Sequence, residues 1–302
     1  MHAGRALGYR LSVSTGRPLI LDSYEPHADS MVENGTWSEE GLAYRRLLWL
    51  ETRQSRRART AIGLTSSMRD YAFRRYGASF DQFLVKPACV DLKAFDPAAH
   101  ESGARREELG WSKKVVGVYT GKLGGIYFSD ELFALVRAAW DLWGDRFRLL
   151  LMTDTSEEVV LTHLRRIGVP PEVVRTSFEP HERVAAGLAL ADFAVNPVKP
   201  VPSKRHCTSI KDTEYWAISL LLPAGISDDS ELVVSHRAGA VVEEFSVEGW
   251  GAGLWVIDDM LRTEPRADRT APIRALAADQ RSFKMAEAVY KSLYSRCYRG
   301  PA

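Results

Sequence analysis

The chain is poor in cysteine, in long apolar runs and in any excess of charge. Its 302 residues hold three cysteines, Cys89, Cys207 and Cys297. They lie far apart, so no pair has metal-ligand spacing, and an odd count is a poor disulfide framework. Such usage points to a reducing cytoplasm. The longest apolar runs, such as Ile218–Ala224, are too short to span a bilayer. The segment Met1–Thr15 lacks the apolar core of a signal peptide. With 40 basic against 39 acidic residues, net charge is +1, which argues against a protein built mainly to bind nucleic acid. Internal repeats and low-complexity tracts are missing as well.

The composition that is present, 45% hydrophobic and 26% charged, is that of a soluble globular protein, long enough for two domains. Strands alternate with helices. Strands are expected at Pro18–Asp22, Ala61–Thr65 and Gln82–Lys86, with helices at Ser38–Arg59 and Ser66–Tyr76. A polar stretch, Asp96–Lys114, begins near Pro97 and carries a short helix at Arg105–Leu109. Beyond it, Val115–Tyr119 and Arg148–Met152 read as strands buried on both faces. Further strands are expected at Val173–Thr176, Phe193–Val195, Leu220–Leu222 and Ala240–Val242. Helices are expected at Ser129–Trp143, Ser156–Ile167, Pro180–Ala189, Lys211–Ile218, Ser230–His236 and Ser282–Tyr298. This alternation predicts an α/β protein with parallel sheets. Three domain segments follow: 1–95, 96–280 and a C-terminal helix over 281–302. Three strand candidates are few for a doubly wound first lobe, which reads as incomplete at its N-terminal end.

Three segments carry candidate chemistry. Thr120–Gly125 follows a buried strand; Gly121, Gly124 and Gly125 permit a close backbone approach to a phosphate, and Lys122 supplies a point charge. The GxxxxGK[ST] spacing is absent, and an ordinary strand-to-helix turn has the same composition. In Ser203–Ala217, Lys211 and Glu214 share one helix face; they would offset phosphate charge and accept ribose hydroxyls, or form a solvated ion pair. Ala224–Glu231 has Gly225, Ser227, Asp228, Asp229 and Ser230 as a helix-start signal, with backbone N–H groups fit for an anion or for a plain cap.

In this order the segments resemble family 4 of the retaining glycosyltransferases. The run from Lys86 to Pro97 resembles that family's crossing segment between lobes. Arg105–Gly110 with Val115–Gly125 resembles its R..LG…V…GKL stretch. Ser209–Ala217, then Leu222, Pro223 and Gly239–Val242, resembles its P.K..EY.A.G.P…G.lv signature. Ala61–Met68 echoes a strand and helix of the first lobe, and Asp22–His27 sits where the family often has a histidine-bearing loop.

The resemblance implies a GT-B fold: two facing Rossmann-like doubly wound domains, the N-terminal one incomplete, with the C-terminal helix packing back across them. It implies transfer of a sugar from a nucleoside diphosphate donor, with retention of configuration and without a metal or other cofactor. Lys122 would meet the diphosphate, Glu214 the ribose, and Ser227, Asp229 and Ser230 phosphate or sugar hydroxyls; Lys211 is a further donor-site candidate and His27 would face the transferred sugar. The acceptor would be a sugar or a lipid-linked sugar. The basic stretch over residues 45–59 (Arg45, Arg46, Arg53, Arg56, Arg57, Arg59) would dock on an anionic membrane, or form a solvated helix face. Departures from the family are His206 in place of the first carboxylate of E-x7-E, Ile126–Phe128 where a second basic residue usually stands, with Lys204 and Arg205 as the nearest substitutes, and no Gly-rich loop in the first lobe. These departures motivate an alternative, a non-catalytic nucleotide-sugar-binding module. A nucleotide-sugar epimerase on the same fold is a third reading.

Overall fold

A computed structural model describes residues 2–96, 99–218, 220–223 and 226–297. Pro97, Gly225 and Tyr298, named above, lie outside them. The described chain contains eight strands and thirteen α-helices in the order α1 (His2–Thr15), β1 (Leu19–Tyr24), α2 (His27–Glu33), α3 (Leu42–Arg57), β2 (Ala58–Gly63), α4 (Ser67–Tyr76), β3 (Gln82–Val85), α5 (Ser102–Glu108), β4 (Val115–Thr120), α6 (Asp130–Trp143), β5 (Phe147–Met152), α7 (Glu157–Ile167), β6 (Val174–Ser177), α8 (His181–Ala189), β7 (Phe193–Asn196), α9 (Ile210–Ile218), β8 (Leu220–Pro223), α10 (Ser227–Ser235), α11 (Val247–Thr263), α12 (Arg266–Gln280) and α13 (Phe283–Cys297).

Contacts divide the chain into two compact units: Met1–Cys89 with Val201–Thr208 and Phe283–Ala302, and Val90–Pro200 with Ser209–Ser282. The first unit has a parallel sheet in the order β1-β2-β3. Its core joins Leu21, Ala61, Met68, Ala72 and Tyr76. The 3₁₀ turn Pro202–His206 belongs to this unit: the Ser203 amide donates to Glu33 Oε2 at 2.9 Å, and His206 Nδ1 meets Ser67 Oγ at 2.9 Å. The helix α13 belongs here too, with Tyr290 Oη donating to Asp22 Oδ2 at 2.6 Å.

The second unit has a parallel sheet in the order β6-β5-β4-β7-β8. Every residue of β5 is buried, as continuous apolar strands between helical layers require. From β4 the chain winds outward through β5 to β6, then returns to place β7 on the other side. The order therefore reverses between β4 and β7, and the crevice at their carboxyl ends is where ligands bind in such sheets.

Ala240–Val242 is not a strand; Ala240 and Val242 are buried without joining the sheet. The helix α10 begins at Ser227, three residues before the expected start at Ser230.

Candidate donor-nucleotide site

The strand β4 ends at Thr120, and Gly121 follows with φ +126°, a backbone state that L side chains rarely adopt. A Cβ there would lie 2.4 Å from Lys211 Nζ and would displace that side chain. The hydroxyl of Tyr119 donates to the Lys122 carbonyl at 2.7 Å and fixes the turn that presents Lys122. The helix α9 is fastened to the same strand end: the Thr120 amide donates to Tyr215 Oη at 3.1 Å. Tyr215 and Trp216 are buried, so Lys211 and Glu214 are held on a fixed helix.

Lys211 runs beneath the glycine turn, its ammonium 3.5 Å from the ring centroid of Tyr127 and 4.9 Å from that of Tyr119. Burial pulls its pKa down to about 8, against the opposing charges of Asp212 and Glu214, and the Lys122 charge lowers it further. Burial likewise raises the Glu214 carboxyl, opposed by His181 and Lys211. The Glu214 side chain is 8% exposed and its Oε1 meets His181 Nε2 at 3.0 Å.

A cleft of about 340 Å³ opens at the ends of β4, β5 and β6, lined by Gly121, Lys122, Asp154, His181, Lys211 and Glu214 among others. Two lysines, a histidine and three carboxylates, Asp154, Glu179 and the buried Glu214, thus border one concavity, beside the turn between β4 and α6. Thr153, Asp154 and His181 were not singled out in the sequence; each follows β5 or β6, and the rule that ligands sit at strand carboxyl ends is the signal that would have found them.

The other residues expected at the site lie elsewhere. Gly124 and Gly125 have φ of +81° and +65° further along the turn, outside the cleft lining. Ser227, Asp229 and Ser230 do not line it either. Ser227 Oγ accepts from the Asp229 amide at 3.3 Å, and Ser230 Oγ donates to the Ile226 carbonyl at 2.7 Å. The Asp229 carboxylate is buried in an ion pair with Arg281. His27 begins α2 of the first unit, its Nδ1 3.6 Å from Glu25 Oε1. His206 also belongs to the first unit, packed on the Tyr71 ring at 4.7 Å.

No protein-family model matches the sequence, and no curated protein matches it. Solved structures do. HepE from Anabaena, in complex with UDP, is similar over 98% of this chain and 77% of its own, with TM-score 0.76 and 15% identity. Sucrose-phosphate synthase from Thermosynechococcus elongatus is similar over 98% of this chain and 72% of its own, with TM-score 0.73 and 16% identity. WaaG, a glycosyltransferase involved in lipopolysaccharide biosynthesis, is similar over 89% and 73%, with TM-score 0.68 and 14% identity. The chain therefore has an α/β fold of parallel, Rossmann-like sheets that matches GT-B glycosyltransferases.

Proposed function

We propose that this protein transfers a sugar from a nucleoside diphosphate donor, and that the donor lies in the cleft of Lys122, Lys211 and Glu214. One observation carries the reading: Lys122, Lys211 and the buried carboxylate of Glu214 border the same cleft at the carboxyl ends of β4, β5 and β6. In this reading the lysines neutralise the diphosphate and Glu214 accepts hydrogen bonds from the ribose hydroxyls. As the donor bond breaks, negative charge grows on the leaving diphosphate, and fixed cations stabilise it where it develops. UDP and UDP-glucose, bound by the structurally similar HepE, make uracil the first base to test. Retention of configuration, metal independence, and His27 facing the transferred sugar complete the proposal. Lys122→Ala is expected to lower sugar transfer or donor hydrolysis about 100-fold with folding intact; wild-type rates in that variant would remove the assignment.

Lys211 supplies a second check. Its free-state pKa of about 8 leaves it partly neutral at slightly alkaline pH. A bound diphosphate favours the ammonium, so binding near pH 8.5 takes up protons. Calorimetry in two buffers of different ionisation enthalpy should show that uptake in the wild type and lose it in Lys211→Met.

A non-catalytic module is the second reading, favoured by the position of His206 on Ser67 in the first unit. Donor binding without transfer or hydrolysis would select it.

For the acceptor, we propose a sugar or lipid-linked sugar met at a membrane surface. No described helix is long and apolar enough to cross a membrane. Yet α1 exposes Leu7 and Leu11, and α3 exposes Trp49 with Arg53 stacked on it at 5.0 Å. Apolar tips among arginines suit an anionic lipid interface. The chain should sediment with phosphatidylserine vesicles, remain free with phosphatidylcholine vesicles, and lose binding several-fold in Trp49→Ala with Arg53→Glu. Equal recovery with both vesicles would contradict the proposal.

A further inference from the structure

A second concavity of the second unit, about 440 Å³, lies between α5, α8 and the strands β5 and β6. Leu150, Met152 and Leu190 give it an apolar floor. Arg175 comes to it from β6 and Arg183 from α8, while Glu101 and Glu179 line it as well. Among the described residues, no ion pair or side-chain hydrogen bond engages any of these four. Arg105, also at the cavity, is taken by Glu108. Nearby arginines behave differently: Arg106 closes on Asp192 at 3.0 Å. A concavity that keeps opposite charges apart presents both to a ligand.

We propose that this cavity binds a small phosphorylated polyol. Two guanidinium groups match a phosphate through their fixed forks of N–H donors. The carboxylate of Glu101 accepts hydroxyl hydrogens, and the hydroxyl of Ser102 adds a donor or acceptor. The volume lies in the range of small-molecule sites. No Phe, Tyr or Trp lines it, and His100 is the aromatic ring in its lining. Met152 and Glu179 line both this cavity and the donor cleft, so the two ligands would be neighbours. The proposal stands independently of the donor assignment.

The test is calorimetric titration of the full chain with glucose 6-phosphate, inorganic phosphate and glucose as probes. Glucose 6-phosphate should bind, more tightly than phosphate or glucose. Arg175→Ala with Arg183→Ala should weaken it at least about tenfold, and the milder Arg183→Gln should weaken it less. An unchanged melting temperature in the double variant shows that the fold persists. Lys122→Ala should leave glucose 6-phosphate binding unchanged. The proposal is overturned by no binding of glucose 6-phosphate at about 10 mM, well above the affinity of a specific site. Binding that survives the double variant, binding lost in Lys122→Ala, or equal affinity for phosphate alone would each overturn it too.

Discussion

Glu214→Ala should weaken UDP binding about 100-fold, measured by calorimetry near neutral pH. Hydrogen bonds to a charged acceptor contribute roughly 1.5–3 kcal/mol each, so losing the ribose contact alone reaches this range. Glu214 is nearly buried and its only described side-chain partner is His181, which is 72% exposed. Removing the carboxylate leaves His181 in solvent and takes from Lys211 one of its two opposing charges, so the Lys211 pKa should fall further while the melting temperature changes little. Glu214→Gln should lie between the two, since the amide keeps the shape and one acceptor oxygen. An affinity in Glu214→Ala equal to the wild type would show that the ribose is held elsewhere.

The second large effect concerns stability. The ion pair of Arg281 and Asp229 is almost wholly buried, at 4% and 1% side-chain exposure. Asp212 lies close enough for its own carboxyl to be raised by burial and by the Asp229 charge, while Asn196 donates to it. Arg281 also sits 5.2 Å from the Trp216 ring on α9. Removing one partner leaves an uncompensated charge in the interior, so Arg281→Ala should destabilise the second unit by about 3–5 kcal/mol. Replacing both, as Asp229→Leu with Arg281→Met, should recover much of that loss. Urea unfolding followed by tryptophan fluorescence measures both. An Arg281→Ala midpoint equal to the wild type would mean that water or rearrangement solvates Asp229. Because Trp216 and Asp212 share α9 with Lys211 and Glu214, the pair also holds the helix that presents the cleft residues.

The sheet of the second unit was legible in the sequence because β4 and β5 are continuous apolar runs closed by turn residues. Lys122, Lys211 and Glu214 were legible for a related reason: each follows a strand end or opens a helix, where local chemistry leaves a pattern. Asp229 was not, since a buried carboxylate at a helix start reads like a cap until its partner, fifty-two residues away, is seen. Four helices escaped, α1, α2, α11 and α12; two of them have sequences that argue against a helix, since α11 carries Gly249, Gly251 and Gly253, and α12 carries Pro272 within it. The helix α1 exposes Leu7 and Leu11, so its periodicity does not mark a core face. Ala240–Val242 has the apolar composition of a strand but buries Ala240 and Val242 without entering the sheet, a tertiary outcome that composition does not encode.

The most direct test of the account is a thermal-shift panel of the full chain against UDP, GDP, ADP and TDP. A ligand that binds only the folded state raises its melting temperature. The account predicts a clear rise with one of these nucleotides, abolished in Glu214→Ala; no rise with any of the four would contradict a donor site in this cleft.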